Sequence, residues 1–177
     1  TLNKDEIEKS KEVIENSDIL ISQFEVPEEV IIEGFKIAKE NNKITILNPA
    51  PAKKIDEELL KYTDIIIPNE TEAQVLTGIK VNDLESAKLA ANGLLEKGVK
   101  FVIVTLGSKG AAVINRECGQ IVEAYKVKAI DTTAAGDSFI GGLSSKLDLK
   151  NLSFENLLKA VKFANKVSSI TVQRKGA

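Results

Sequence analysis

Two hydrophobic rhythms alternate along the chain. Four short, near-continuous apolar runs, at residues 18–22, 43–47, 64–67 and 100–104, read as strands. They do not alternate polar with apolar, as a strand solvated on one side would, so they predict a parallel sheet buried on both faces. Between them the apolar residues fall at helical spacing. Residues 2–14 set Leu2, Ile7, Val13 and Ile14 among Lys and Glu, with Asn3 as N-cap and Glu6 three residues on. Pro27-Glu28-Glu29 opens a helix carrying Val30, Ile31, Phe35, Ile37 and Ala38, which should stop near Asn41-Asn42. Helices follow at residues 56–62, 69–76 and 83–96, the last with Leu84, Ala87, Ala91, Leu94 and Leu95 on one face and Gly98 as its stop. Asn48-Pro49-Ala50-Pro51 forbids helix and forces an extended turn. Residues 111–114 and 120–127 predict a hairpin around Asn115-Arg116-Glu117-Cys118-Gly119, and residues 136–147 and 154–172 predict two helices rich in small and apolar side chains. Strands alternating with helices at short intervals define an α/β class: a mostly parallel sheet with helices on both faces, in one domain over residues 1–177, with no repeat, low-complexity tract or linker.

Composition removes whole reaction classes. The 177 residues include no His and one Cys. Without histidine there is no Ser-His-Asp triad, no Cys-His pair and no His-ligated zinc or iron site. Cys118 alone closes no intrachain disulfide and has no basic neighbour in sequence to activate it, so it reads as inert and suits a reducing, cytoplasmic compartment. A net charge of −2, from 24 Lys and Arg against 26 Asp and Glu in mixed order, provides no extended basic face for a nucleic-acid backbone. The apolar runs fall far short of the roughly 18 residues that suggest a membrane span, so a soluble chain is expected. The chain begins at Thr1 rather than Met with no signal-like segment, and a fragment or processed product is the expectation.

Ligands of open α/β sheets bind at the carboxyl ends of the strands. Every segment there is polar or glycine-bearing: Gln23-Phe24-Glu25, Asn48-Pro49-Ala50-Pro51, Asn69-Glu70-Thr71-Glu72, Thr105-Leu106-Gly107-Ser108-Lys109-Gly110 and Asp131-Thr132-Thr133-Ala134-Ala135-Gly136-Asp137. Neither GxGxxG nor GxxxxGK[ST] occurs. The last segment joins small residues to a helix start, leaving the amides of Ala134, Ala135, Gly136 and Asp137 uncovered by bulky side chains and aimed at one point, an anion cradle. An aspartate there would repel phosphate, and makes chemical sense as a base that takes the proton of an attacking hydroxyl. On local sequence alone Asp137 could equally cap the helix.

The run from Asp131 to Phe139 resembles the second signature of the ribokinase-type (PfkB) carbohydrate kinases, DTxGAGD followed by a small residue and Phe. Leu47-Asn48-Pro49-Ala50-Pro51-Ala52, Pro68-Asn69-Glu70-Thr71-Glu72-Ala73, Val104-Thr105-Leu106-Gly107-Ser108-Lys109-Gly110 and Arg174-Lys175-Gly176-Ala177 match the same family in order and spacing. The resemblance implies a ribokinase-like, Rossmann-like sheet and ATP-dependent phosphorylation of a sugar hydroxyl, D-ribose to ribose 5-phosphate, with Mg²⁺ and K⁺ as cofactors. It implies Asp137 as catalytic base, with the amides of Ala134, Ala135 and Gly136 stabilising charge on the transferring group. Asn69 and Glu72 match the NxxE motif that helps organise Mg²⁺ and phosphate; the alternative for Glu72 is a solvated or capping carboxylate. Thr105 and Gly107 would line the nucleotide groove, or form an ordinary strand exit. Asn165 would stand beside adenine, or be merely solvated. Glu25 falls where an acidic residue approaches the sugar, or is a loop charge. Asp131 with backbone oxygens near Thr133, Thr171, Arg174 and Gly176 would hold the monovalent cation, hard oxygen donors of low charge suiting K⁺; otherwise Arg174 belongs to a solvated chain end.

Against the family pattern, the N-terminal strand and lid that carry other sugar contacts have no counterpart here, and Ala134 stands where the broader pattern has Gly. Phosphoryl transfer depends on positioning and on excluding water, so the isolated chain is expected to transfer poorly while its parent acts as the sugar kinase, with sugar and ATP as partners and a homodimeric state. Fructokinase and adenosine kinase are alternatives within the family, and a non-catalytic nucleotide- or sugar-binding α/β module is the alternative outside it.

Overall fold

The computed structural model describes residues 3–176. The expectations for Leu2 in the first helix and Ala177 in the last matching segment lie outside the described residues. The elements run α1 (Lys4–Lys9), α2 (Lys11–Glu15), β1 (Ile19–Gln23), α3 (Glu28–Glu40), β2 (Ile44–Asn48), α4 (Glu57–Lys61), β3 (Ile65–Ile66), α5 (Glu70–Thr77), α6 (Leu84–Glu96), β4 (Phe101–Thr105), β5 (Ala111–Ile114), β6 (Gly119–Val122), α7 (Ala135–Ser144) and α8 (Phe154–Thr171). The strands form one sheet in sequence order. β1 to β4 pair in parallel, with Ile21 opposite Ile46, Ile46 opposite Ile65 and Ile65 opposite Phe101. That row sets apolar side chains side by side, and Ile46 and Ile65 are fully buried. β5 and β6 are neighbours joined by four residues, too few for a crossover, so they form the expected antiparallel hairpin.

The chain divides into two compact units. One comprises the residues up to Val104 together with Ile114–Gly119, the other Thr105–Val113 and the residues from Gln120 onward. In the first unit α3 buries Val30, Ile31, Phe35, Ile37 and Ala38, the stripe read from the sequence. Beneath it lies a buried carboxylate, Asp64. It receives Lys39 Nζ at 2.7 and 2.8 Å, Thr45 N at 3.0 Å and Thr45 Oγ1 at 3.2 Å, and pairs with Lys100 Nζ at 2.8 Å. These partners come from α3, β2 and the start of β4, so one acid ties three elements to β3. In the second unit α8 buries Leu157, Ala160, Val161, Ala164 and Asn165.

Three boundaries differ from the sequence reading by more than a residue. The first helix is two, because the Ser10 hydroxyl bonds back to the Glu6 carbonyl at 2.8 Å and the backbone turns there. The strand expected over residues 120–127 stops at Val122, where a side chain from α8 takes the outward carbonyls. The helix expected over residues 136–147 ends at Ser144, with Ser144 and Ser145 hydroxyls turned onto the Ile140 and Gly142 carbonyls at 2.8 Å each.

Candidate functional site

The second unit holds the run from Asp131 to Asp137. Residues 123–129 leave β6 without regular structure, and α8 with the residues after it pins the segment that follows. Asn165 Nδ2 donates to the Val122 carbonyl at 2.9 Å and the Glu123 carbonyl at 3.1 Å. The Val172 carbonyl accepts from the amides of Ile130 at 2.7 Å and Asp131 at 3.2 Å. Asp131 Oδ2 accepts the Gly176 amide at 3.1 Å, while Oδ1 accepts the Thr133 amide at 2.9 Å and hydroxyl at 2.7 Å. The Thr133 hydroxyl, then the Thr133 and Gly176 amides, hold the Asp131 carboxyl below the usual carboxylate range.

Ala134 then adopts φ 57° and ψ 15°, the left-handed region, and α7 begins. That is why the broader pattern has Gly at this position: a Cβ disfavours the conformation. The amides that the sequence aims at one point are not equally bonded. The Ala135 N–H is already bonded to the Thr132 carbonyl at 3.2 Å, whereas the amides of Gly136 and Asp137 meet no acceptor among the described residues. A Cβ built on Gly136 finds nothing within 4 Å, so this first turn opens outward. Asp137 is exposed in the same turn, and its carboxylate accepts no hydrogen bond from a described residue. The capping alternative is absent: the N-cap position belongs to Ala134, with no side-chain cap bond.

Thr105 ends β4 half-buried, and Gly107 follows at φ 54° in a single 3-10 turn, a left-handed position that favours glycine. Gly110, quoted in the motif without a role, is required more strictly. At φ 108° an added Cβ would collide with the Val122 carbonyl and the Ala124 amide. Asn165 is not solvated but 6% exposed, and spends its amide nitrogen on the loop. The Thr171 hydroxyl turns back onto the Val167 carbonyl at 3.3 Å, and Arg174 and Gly176 are exposed. Ser168, absent from the sequence reading, donates to the Ala135 carbonyl at 3.1 Å. Its signal was a polar residue on an apolar helical stripe.

Asn69, Glu72 and Glu25 belong to the first unit. Asn69 caps α5: its side chain accepts the Glu72 amide at 2.8 Å and Glu72 Oε2 accepts the Asn69 amide at 2.8 Å, so the capping alternative for Glu72 is present. Glu25 is exposed in the turn after β1. At the carboxyl ends of β1 and β2, Asn48 Nδ2 meets Gln23 Oε1 at 3.2 Å, a pairing that depends on strand register and was not foreseen. Among the described residues no three acidic, His or Cys side chains gather as a metal cage, and no helix is long and apolar enough to cross a membrane.

The family model for the pfkB family carbohydrate kinases matches residues 1–177. The chain belongs to that family. It is 49% identical over 177 residues to the ribokinase of Staphylococcus aureus (strain COL), covering all of this chain and 57% of that protein. It is 43% identical over 171 residues to the ribokinase of Haemophilus influenzae, covering 97% of this chain and 55% of that protein. Among solved structures, Arabidopsis thaliana ribokinase complexed with ribose and ATP superposes with a TM-score of 0.87 at 32% identity, over 99% of this chain and 55% of that one. The chain thus spans little more than half the length of these relatives.

Proposed function

We propose that this chain is the nucleotide-holding part of an ATP-dependent sugar kinase whose acceptor is ribose. The observation that carries the reading is the outward-opening first turn of α7, where unbonded amides of Gly136 and Asp137 stand beside an exposed, unpaired Asp137 carboxylate. Those amides and the positive end of the α7 dipole would hold the oxygens of a transferring phosphoryl group. Asp137 would accept the proton of the attacking sugar hydroxyl as its oxygen bonds to phosphorus. The ribokinase relatives and the Arabidopsis thaliana ribokinase solved with ribose and ATP support the choice of sugar and nucleotide.

Two ions belong to the same proposal. Mg²⁺ is carried mainly by phosphates and water, and Asn69 and Glu72 are the residues of the first unit that the family resemblance assigns to orienting such a shell. The Asp131 carboxyl, kept ionised by its donors, and the Thr133 and Arg174 carbonyls, which accept no hydrogen bond among the described residues, fit a monovalent cation, with Thr171 and Gly176 completing the set. When bound, these ions supply neutralisation of phosphate charge. A homodimeric parent protein belongs to the same reading.

The test pairs ATP binding by this chain, followed by calorimetry, with ribose-dependent ADP formation by the protein that contains it. Asp137→Asn should leave ATP binding intact and lower turnover by roughly 10²–10⁴-fold, the usual contribution of a positioned base. Unchanged turnover in that variant removes Asp137 as the base. A protein that phosphorylates no sugar removes the kinase reading.

A further inference from the structure

Helix α8 presents a buried stripe at Leu157, Val161, Ala164 and Asn165, and helical spacing carries that face on to Ser168. A polar side chain on such a stripe needs a partner. Ser168 finds it 33 residues away, in the carbonyl of Ala135, the first residue of α7, at 3.1 Å. Ser138 Oγ bonds to the same carbonyl from within α7 at 3.0 Å. Further along the chain, Val172 accepts the amides of Ile130 and Asp131, and Gly176 donates to the Asp131 carboxylate. The end of α8 and the residues after it therefore grip the loop on both sides of residues 132–134. Between these grips Ala134 holds a left-handed conformation that a free loop would abandon, because it costs alanine roughly 1 kcal/mol or more.

We infer that Ser168 is a positioning residue for the anion cradle. Its hydroxyl fixes the Ala135 carbonyl, and through it the direction in which the Gly136 and Asp137 amides point. Asn165 and Val172 anchor the loop upstream, whereas Ser168 is the side chain of α8 that bonds the first turn of α7 itself. The inference rests on the proposed nucleotide site for its consequence, but the restraint itself stands on geometry. Losing the hydroxyl leaves the fold, since the α8 stripe and its close packing on Gly142 remain, and loosens one turn.

Two measurements on this chain test it, with Ser168→Ala as the deletion and Ser168→Thr as the variant that keeps the hydroxyl. Amide hydrogen exchange read by NMR should accelerate several-fold in Ser168→Ala at Ala135 and Ser138, whose N–H groups close the turn onto Thr132 and Ala134, and not at the far end of α7. Ser168→Thr should restore the slow rates. Calorimetry should show ATP binding weakened several-fold in Ser168→Ala with adenosine binding unchanged, a split that general loss of stability would not produce. Wild-type exchange rates in Ser168→Ala, or acceleration spread evenly over both helices, overturn the inference, as does equal weakening for ATP and adenosine. A wild-type chain that binds no ATP removes the nucleotide-site reading instead, and the exchange rates alone then decide the restraint.

Discussion

Ala134 carries a backbone conformation that alanine disfavours, held by hydrogen bonds from neighbours on either side. Glycine adopts it without the Cβ penalty, at the cost of greater freedom when unfolded. Ala134→Gly should therefore raise stability by about 0.5–1 kcal/mol in thermal denaturation, with ATP binding unchanged. A β-branched Ala134→Val should do the reverse and weaken ATP binding, because χ1 crowding adds to the penalty where φ is positive. Asp137 differs from Asp131 in having no side-chain donor among the described residues: Asp131 accepts three hydrogen bonds and is held ionised, while Asp137 stands open to whatever occupies the turn. The two aspartates of one motif thus divide into a fixed structural anion and an available one. Sequence placed both in the motif; two of the bonds that separate their roles are local, from Thr133, and the third comes from Gly176, 45 residues from Asp131.

At the scale of elements, helix starts were the most legible features. Asn3 with Glu6 and Asn69 with Glu72 form reciprocal capping boxes, and Asp56 and Asp83 cap α4 and α6, because capping chemistry is confined to a few neighbouring residues. Strand ends were less legible, since the exit of β6 is set by Asn165 and by Gly110. Gly110→Ala would push a methyl into the Val122 carbonyl and the Ala124 amide, with backbone rather than a flexible side chain having to yield. A cost of roughly 3 kcal/mol or more is expected in urea denaturation, with loss of slow amide exchange concentrated in β5 and β6.

Asp64 provides the element-scale pH test. Burial would raise its carboxyl, but the Lys100 and Lys39 ammonium groups and the Thr45 amide outweigh burial and hold it below the ordinary value. Unfolding returns it to roughly 3.9, so the stabilisation is complete above that pH and is lost as pH falls through the lower folded value. Asp64→Asn should cost about 3 kcal/mol at neutral pH, the low end for breaking a buried pair, because the Lys100 side chain is 60% exposed and its bond is screened. The same variant should show a shallower acid-unfolding profile than wild type, and an unchanged profile would contradict the assignment.

Over the whole molecule the near-neutral net charge conceals a division. The first unit carries 14 Lys and Arg against 21 Asp and Glu, the second 10 against 5. The proposed anion cradle lies in the second, positive unit. Association of ATP, a polyanion, should therefore slow several-fold as salt is raised, measured by stopped-flow with a fluorescent analogue, while dissociation changes little. A salt-independent association rate would exclude steering by this unit.

Sequence by itself determined the α/β class, nearly every element, the Asn3 cap and the family, because periodicity, capping and short motifs are local and survive in one dimension. It also singled out Asp131, Gly136 and Asp137. Tertiary structure decided which of the motif's amides are unbonded, that Asn165 and Ser168 face the loop rather than solvent, and that Asp64 is a buried junction. The contacts of Asn165, Ser168 and Asp64 depend on partners well separated in sequence, brought together by strand register and by the packing of α8 on α7. Such meetings leave no trace in spacing along the chain beyond a polar residue on an apolar face.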